Sequence, residues 1–179
     1  MSALPFRFVW VSVLALALLC CLAGSGLAAG RGVLAPLSGS VGVQMEQFVE
    51  RVVRRAEEER AGLVVFELDT PGGLLGATHG IVQTILASRV PVAMWAPPGG
   101  RAAAAGAFMI QAAHVAAMAS GTNIGAAHPV IASGGDLPDD DMKKKVVNDL
   151  RARMRSLTQL RGRNQSAAQR MIEDSLSLT

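Results

Sequence analysis

Two strand-length apolar runs, each closed by a glycine-rich turn, constrain this chain more than any other feature. Residues 63–68 are apolar except for Glu67, and residues 90–95 form a second such run. Uninterrupted apolar runs of this length are what a parallel sheet buries. The first closes at Asp69-Thr70-Pro71-Gly72-Gly73 and the second at Pro97-Pro98-Gly99-Gly100. Between them, residues 74–88 carry Leu75, Ile81, Val82, Ile85 and Leu86 at helical spacing. Upstream, residues 33–37 read as a short strand. Residues 44–60 read as an amphipathic helix, with Met45, Phe48, Val49, Val52, Val53 and Ala56 on one face and charges of mixed sign on the other. This alternation predicts βαβ units and an α/β fold with a largely parallel sheet.

The second half is patterned differently. Residues 101–113 are apolar and dominated by alanine, with four alanines at 102–105 before Gly106. Small side chains there allow a helix to approach a strand or a ligand closely. Residues 114–119 read as a third short strand and 131–141 as a loop. Asp139, Asp140 and Asp141 then precede a helix running through Val146, Val147, Leu150, Met154 and Leu157 to near Gly162. Acids at a helix start complement its dipole. Residues 165–174 read as a last short helix, after which the chain is expected to end without a finishing element.

Residues 1–30 contain one charge, Arg7, followed by an uncharged stretch rich in Leu, Val and Ala and then by small residues. That is the pattern of a secretory signal peptide; the rival reading is an uncleaved membrane anchor. Either places residues 31–179 outside the cytoplasm, on the periplasmic or extracytoplasmic face of the membrane. The export segment also explains a positive mean hydropathy of +0.34 in a chain that is 17% charged. With half its residues apolar, the chain is not a disordered one. Cys20 and Cys21 both lie in the export segment. The mature chain would therefore use no disulfide, thiolate metal site or cysteine nucleophile. A net charge of +3 is weak support for nucleic acid, and neither a G-x-G-x-x-G nor a P-loop lysine is present.

Few residues carry chemistry by type alone. Pro71-Gly72-Gly73 before a helix exposes backbone N–H groups that hold an anion or a developing oxyanion, but a tight strand-to-helix turn has the same composition. His79, His114 and His128 have no ligand partners at metal-binding spacing, so no metal site is expected. His114, opening a strand, reads as structural, whereas His128 lies in a loop where it could line a site. Lys143, Lys144 and Lys145 read as a solvated helix start unless one of them is desolvated to serve as a base.

The run Phe66-Glu67-Leu68-Asp69-Thr70-Pro71-Gly72-Gly73 resembles the signature of the NfeD family of membrane-bound serine proteases, relatives of ClpP and of the crotonase fold. Further stretches agree in order and spacing: Arg89-Val90-Pro91-Val92, Gly100-Arg101-Ala102-Ala103, residues 121–130 from Gly121 to Val130, and Gly162-Arg163-Asn164. The resemblance covers roughly residues 33–179. It implies a ClpP-like protease domain of stacked ββα units over 31–179, truncated at its C-terminal end relative to family members. It also implies a Ser–Lys dyad, no cofactor, and a homodimer or higher assembly. Hydrophobic peptides or stomatin-like membrane proteins are the implied partners, with no nucleic acid.

Carried over by position, the resemblance makes Lys145 the general base and the Gly73 and Ala105 N–H groups the oxyanion hole. Gly72, Gly106 and His128 line the substrate groove. The nucleophilic serine of the family falls at Ala104. A methyl group cannot attack a carbonyl, so the covalent chemistry is expected to be absent. Two explanations stand: a homologue that has lost cleavage, or a serine-to-alanine exchange made to trap substrate. Two functions stand with them. One is an extracytoplasmic endopeptidase domain for hydrophobic segments, inactive with Ala104. The other is a pseudoprotease that binds peptide in membrane-protein quality control. A crotonase-like acyl-CoA enzyme fits an exported chain less well.

Overall fold

The computed structural model describes residues 31–130 and 139–179. The segment on which the export-signal reading falls, and most of the loop at 131–141, lie outside the described residues. Element order is β1 (Gly32–Ser38), α1 (Val43–Glu58), β2 (Leu63–Asp69), α2 (Leu75–Ala87), β3 (Val92–Ala96), β4 (Arg101–Ala103), α3 (Ala105–Ala112), β5 (Val115–Met118), β6 (Asn123–Gly125), α4 (Asp140–Leu160), α5 (Gln165–Glu173) and β7 (Ser177–Leu178). Among the described residues no helix is long and apolar enough to cross a membrane.

Strands β1, β2, β3 and β5 form a parallel sheet in the order β1-β2-β3-β5, with Phe66 opposite Ala35 on one side and Met94 on the other. The expected parallel α/β sheet is therefore present. Its strands are not buried uniformly, however. Val64, Phe66 and Leu68 are fully buried, while Leu63, Val65 and Glu67 between them are only half-buried. The reason is one-sided cover. Helices α1, α2 and α3 pack side by side, and Val49, Val53, Ile81, Ile85 and Met109 join the even-numbered β2 positions in one core.

A second, smaller sheet has the order β4-β6-β7, with β6 parallel to β4 and antiparallel to β7. Three corrections to the sequence reading meet here. The alanine-rich run is not one segment: it divides into β4, a corner at Ala104, and α3. Residues 123–125, to which the sequence reading gives no element, form a strand. The last residues do form a finishing element, since Ile124 pairs with Leu178 and Gly125 with Ser177. Strands of two or three residues have too few positions to show a period. The two sheets meet through an isolated bridge between Thr70, just past β2, and Ala102.

Helix α4 docks through Leu150, Met154 and Leu157, and α5 packs along it with Ala168, Met171 and Ile172 buried. The Asp139 side chain caps α4 by accepting from the Asp141 N–H at 3.2 Å, with Asp140 and Asp141 in the first turn. That is the arrangement a helix N-terminus favours.

Candidate active site

The carboxyl end of β2 meets the amino end of α3, and the contact is built by backbone. Thr70 N–H donates to Arg101 O at 2.8 Å, and Ala103 N–H donates to Thr70 O at 3.1 Å. The Thr70 side chain is fully buried. Its hydroxyl donates to Gly39 O at 2.7 Å and accepts from Gly72 N–H at 3.1 Å. One buried hydroxyl thus ties the turn after β1 to the turn after β2. The second turn is tied again where Val41 N–H donates to Gly72 O and Leu74 N–H to Val41 O, both at 2.8 Å.

Gly72 and Gly73 are required here for different reasons. Gly72 has φ +118, and a Cβ on it would lie 2.7 Å from Ala104 Cβ. A Cβ on Gly73 would lie 2.1 Å from Val41 O. The chain therefore passes directly against the residue 104 side chain. Gly106 is as tight, since its added Cβ would meet Thr70 Cγ2 at 2.7 Å.

Ala104 itself sits at φ +46 and ψ −106, outside the regions an L-residue ordinarily occupies. Its N–H donates to Gly125 O at 2.8 Å, and its own carbonyl accepts from Ala107 N–H at 3.1 Å. The result is a sharp strand-to-helix corner that presents a half-buried side chain beside Gly72. The Gly73 and Ala105 N–H groups make no hydrogen bond with another described residue. For Ala105, this follows from its place in the first turn of a helix. Gly73 is exposed, and the exposed apolar side chains of Leu74 and Leu75 follow it directly. An apolar rim therefore borders a pair of open donors.

The structure thus brings Gly72, Gly73, Ala104, Ala105 and Gly106 together. Lys145 stands apart, exposed on the second turn of α4. With alanine at 104 there is no hydroxyl for its amine to meet. His128 Nδ1 lies 2.9 Å from Ile172 O. A carbonyl only accepts, so Nδ1 carries the proton and the ring is oriented by α5. His114 is structural: its Nδ1 accepts from Val92 N–H at 3.2 Å. Burial, and then the nearby Arg161 charge, push this imidazole below its ordinary range. His79 is exposed and meets Arg153.

Sequence reasoning missed four residues of this region. Thr70 lies inside the recognised run but carries no signal of a buried hydroxyl. Gly125, at φ +134, supplies the carbonyl that holds Ala104, and a Cβ on it would meet Leu176 O at 2.0 Å. Arg161 and Arg163 reach the other end of α3. Burial, followed by the Arg161 charge, pushes the Arg163 guanidinium below its ordinary range.

Comparison with known proteins follows the same lines. Residues 33–179 match the family model described as NfeD1b, N-terminal domain. The chain is 39% identical over 135 residues to the membrane-bound protease PH1510 of Pyrococcus horikoshii, an alignment covering 75% of this chain and 30% of that protein. It thus spans under a third of that relative's length. Among solved structures it is similar to the 1510-N membrane-bound stomatin-specific protease in two variants. A lysine-to-alanine variant in complex with a substrate peptide superposes with TM-score 0.78 at 35% identity, covering 86% of this chain and 70% of that one. A serine-to-alanine variant gives 0.77 at 36% identity, covering 86% and 74%. ClpP1 from Listeria monocytogenes, at 16% identity and TM-score 0.64, covering 83% and 82%, shows the ClpP-like fold.

Proposed function

The chain belongs to the NfeD1b family, of which it carries the N-terminal domain, and we propose that it is a serine–lysine peptidase scaffold whose nucleophile position holds Ala104. It binds extended apolar segments of stomatin-like membrane proteins without acylating. The observation that carries this reading is the corner at Ala104, held beside Gly72, with the N–H groups of the adjoining Gly73 and Ala105 making no hydrogen bond to a described residue.

With serine at 104, the chemistry would run as follows. The neutral Lys145 amine takes the hydroxyl proton as Oγ attacks the peptide carbonyl. The Gly73 and Ala105 N–H groups hold the oxyanion. The lysine passes that proton to the leaving amine as the C–N bond breaks, which leaves an ester on Oγ; water, deprotonated by Lys145, then attacks the ester, releasing the acid while Lys145 returns the proton to Oγ. Lys145 is exposed in the free chain. Two features of the relatives support the assignment. The substituted serine and lysine of the 1510-N variants are separated by the same number of positions as Ala104 and Lys145 here. One of those variants holds a substrate peptide. The export-type segment at 1–30 supports action on the extracytoplasmic face, and we take the working form to be a homodimer or higher assembly.

The test compares the native chain, Ala104→Ser, and Ala104→Ser with Lys145→Ala on an apolar fluorogenic peptide. Ala104→Ser is expected to raise cleavage by on the order of 10³-fold, a gain abolished by Lys145→Ala. The native chain is expected to bind the peptide without turnover. Equal cleavage by the native chain would overturn the assignment of position 104, and absence of binding by all three would overturn the peptide-binding reading.

A further inference from the structure

Helix α3 has eight residues and spans about 12 Å. Its amino end bears residue 104. Its carboxyl end has no glycine cap: Ala113 leaves the helix in extended conformation, and its N–H meets Ile110 O and Met109 O. The last carbonyls of a helix need donors from elsewhere, and here two arginines supply them. Arg163 Nη1 donates to Ile110 O and Gln111 O at 2.6 Å each, and its Nη2 donates to Ala113 O at 2.8 Å. Arg161 Nε donates to Ala112 O at 2.9 Å. Four consecutive carbonyl oxygens are thus held by cations at the negative end of the helix dipole, in charge-assisted bonds.

The arginines are themselves fixed to α4. Arg161 N–H donates to Leu157 O at 3.0 Å, and Arg163 N–H donates to Thr158 O at 2.8 Å. The element that carries Lys145 near its start therefore grips, just past its end, the helix that begins after residue 104. Leu150 and Leu157 of α4 and Phe108 of α3 pack along one apolar cleft between the two ends.

We propose that Arg163, assisted by Arg161, is a positioning residue. Its guanidinium fork fixes the axial placement of α3 against α4, and so holds residue 104 and the Ala105 N–H in register with the Lys145 helix. The catalytic part of this statement rests on the function proposed above; the placement of α3 does not. A lysine at 163 keeps the charge but not the planar fork, so it would hold one carbonyl where the guanidinium holds three.

Two readouts separate the claims. In the native chain, amide hydrogen exchange is followed in Arg163→Ala and Arg163→Lys. Exchange at Ala104 and Ala107, whose N–H groups bond Gly125 O and Ala104 O, is expected to quicken by about tenfold or more in Arg163→Ala, and by less in Arg163→Lys, while residues 64–68 of β2 keep their protection. In the Ala104→Ser background, Arg163→Ala is expected to lower kcat by about tenfold with KM within about threefold, and Arg163→Lys to restore part of the loss. Exchange at Ala104 and Ala107 that rises no more than in β2 overturns the proposal. So does an unchanged kcat in an active Ala104→Ser parent. If that parent is inactive with Arg163 intact, the proposed function fails, and the exchange measurement still decides the role of Arg163. Should Arg163→Ala not fold, Arg163→Lys carries the same comparison.

Discussion

Ala104 occupies a backbone conformation that costs an L-residue about 1–3 kcal/mol, yet it has no polar side chain to offset that cost. The corner is therefore imposed by its surroundings: the Gly125 carbonyl on its N–H, Gly72 against its Cβ and Gly106 against Thr70. A hydroxyl added at 104 would enter a corner already built, and under the proposed function that single substitution is expected to introduce cleavage. The glycines make opposite predictions at neighbouring positions. Gly73→Ala places a Cβ against Val41 backbone and is expected to destabilise by about 1–3 kcal/mol. Gly76→Ala meets nothing within 4 Å inside α2 and is expected to stabilise by about 0.4–1 kcal/mol. Urea midpoints of the two variants check both signs. The glycines and Ala104 were legible because their run resembles a known one. Thr70, Gly125 and Arg163 were not, because their roles depend on which carbonyls and turns the fold brings to them.

At the scale of elements, the long ones were legible and the short ones were not. The helices α1 and α4 announce themselves by apolar spacing over several turns, and α4 also by its acidic start. Strands β4, β6 and β7 are each two or three residues long, and β4 is hidden in an alanine run that favours a helix reading. These are the strands that carry the corner at Ala104. The start of β5 offers a further test. His114 accepts from Val92 N–H through Nδ1, so it is held unprotonated, and its folded value lies below the ordinary 6.5. The unfolded chain then binds more protons, so this contribution is complete above pH 6.5 and is lost as pH falls through 6.5 toward the folded value. Unfolding free energies measured at about pH 7.5 and about pH 5.5 are expected to fall more for the native chain than for His114→Gln. Equal slopes would remove His114 as the cause.

For the molecule as a whole, alternation of apolar runs and helical periods was enough to predict a parallel α/β sheet, but not that helices cover it from one side. That asymmetry is a tertiary fact: runs such as 63–68 read as buried on both faces, and only the packing of α1, α2 and α3 decides which face is closed. The one-sided layer leaves the carboxyl ends of β2 and β4 open beside the amino end of α3, and the site lies there. The proposed function assigns position 104, with Gly73, Ala105 and Lys145, to a hydrolytic centre whose nucleophile position holds alanine. An alkyl fluorophosphonate tests this most directly, since it phosphonylates a serine hydroxyl that a base and oxyanion donors activate. Mass spectrometry of the treated Ala104→Ser protein is expected to show one adduct, mapped to residue 104 and lost on Lys145→Ala, with none on the native chain. A folded Ala104→Ser protein that takes no label, or a native chain labelled at another serine, would contradict the account.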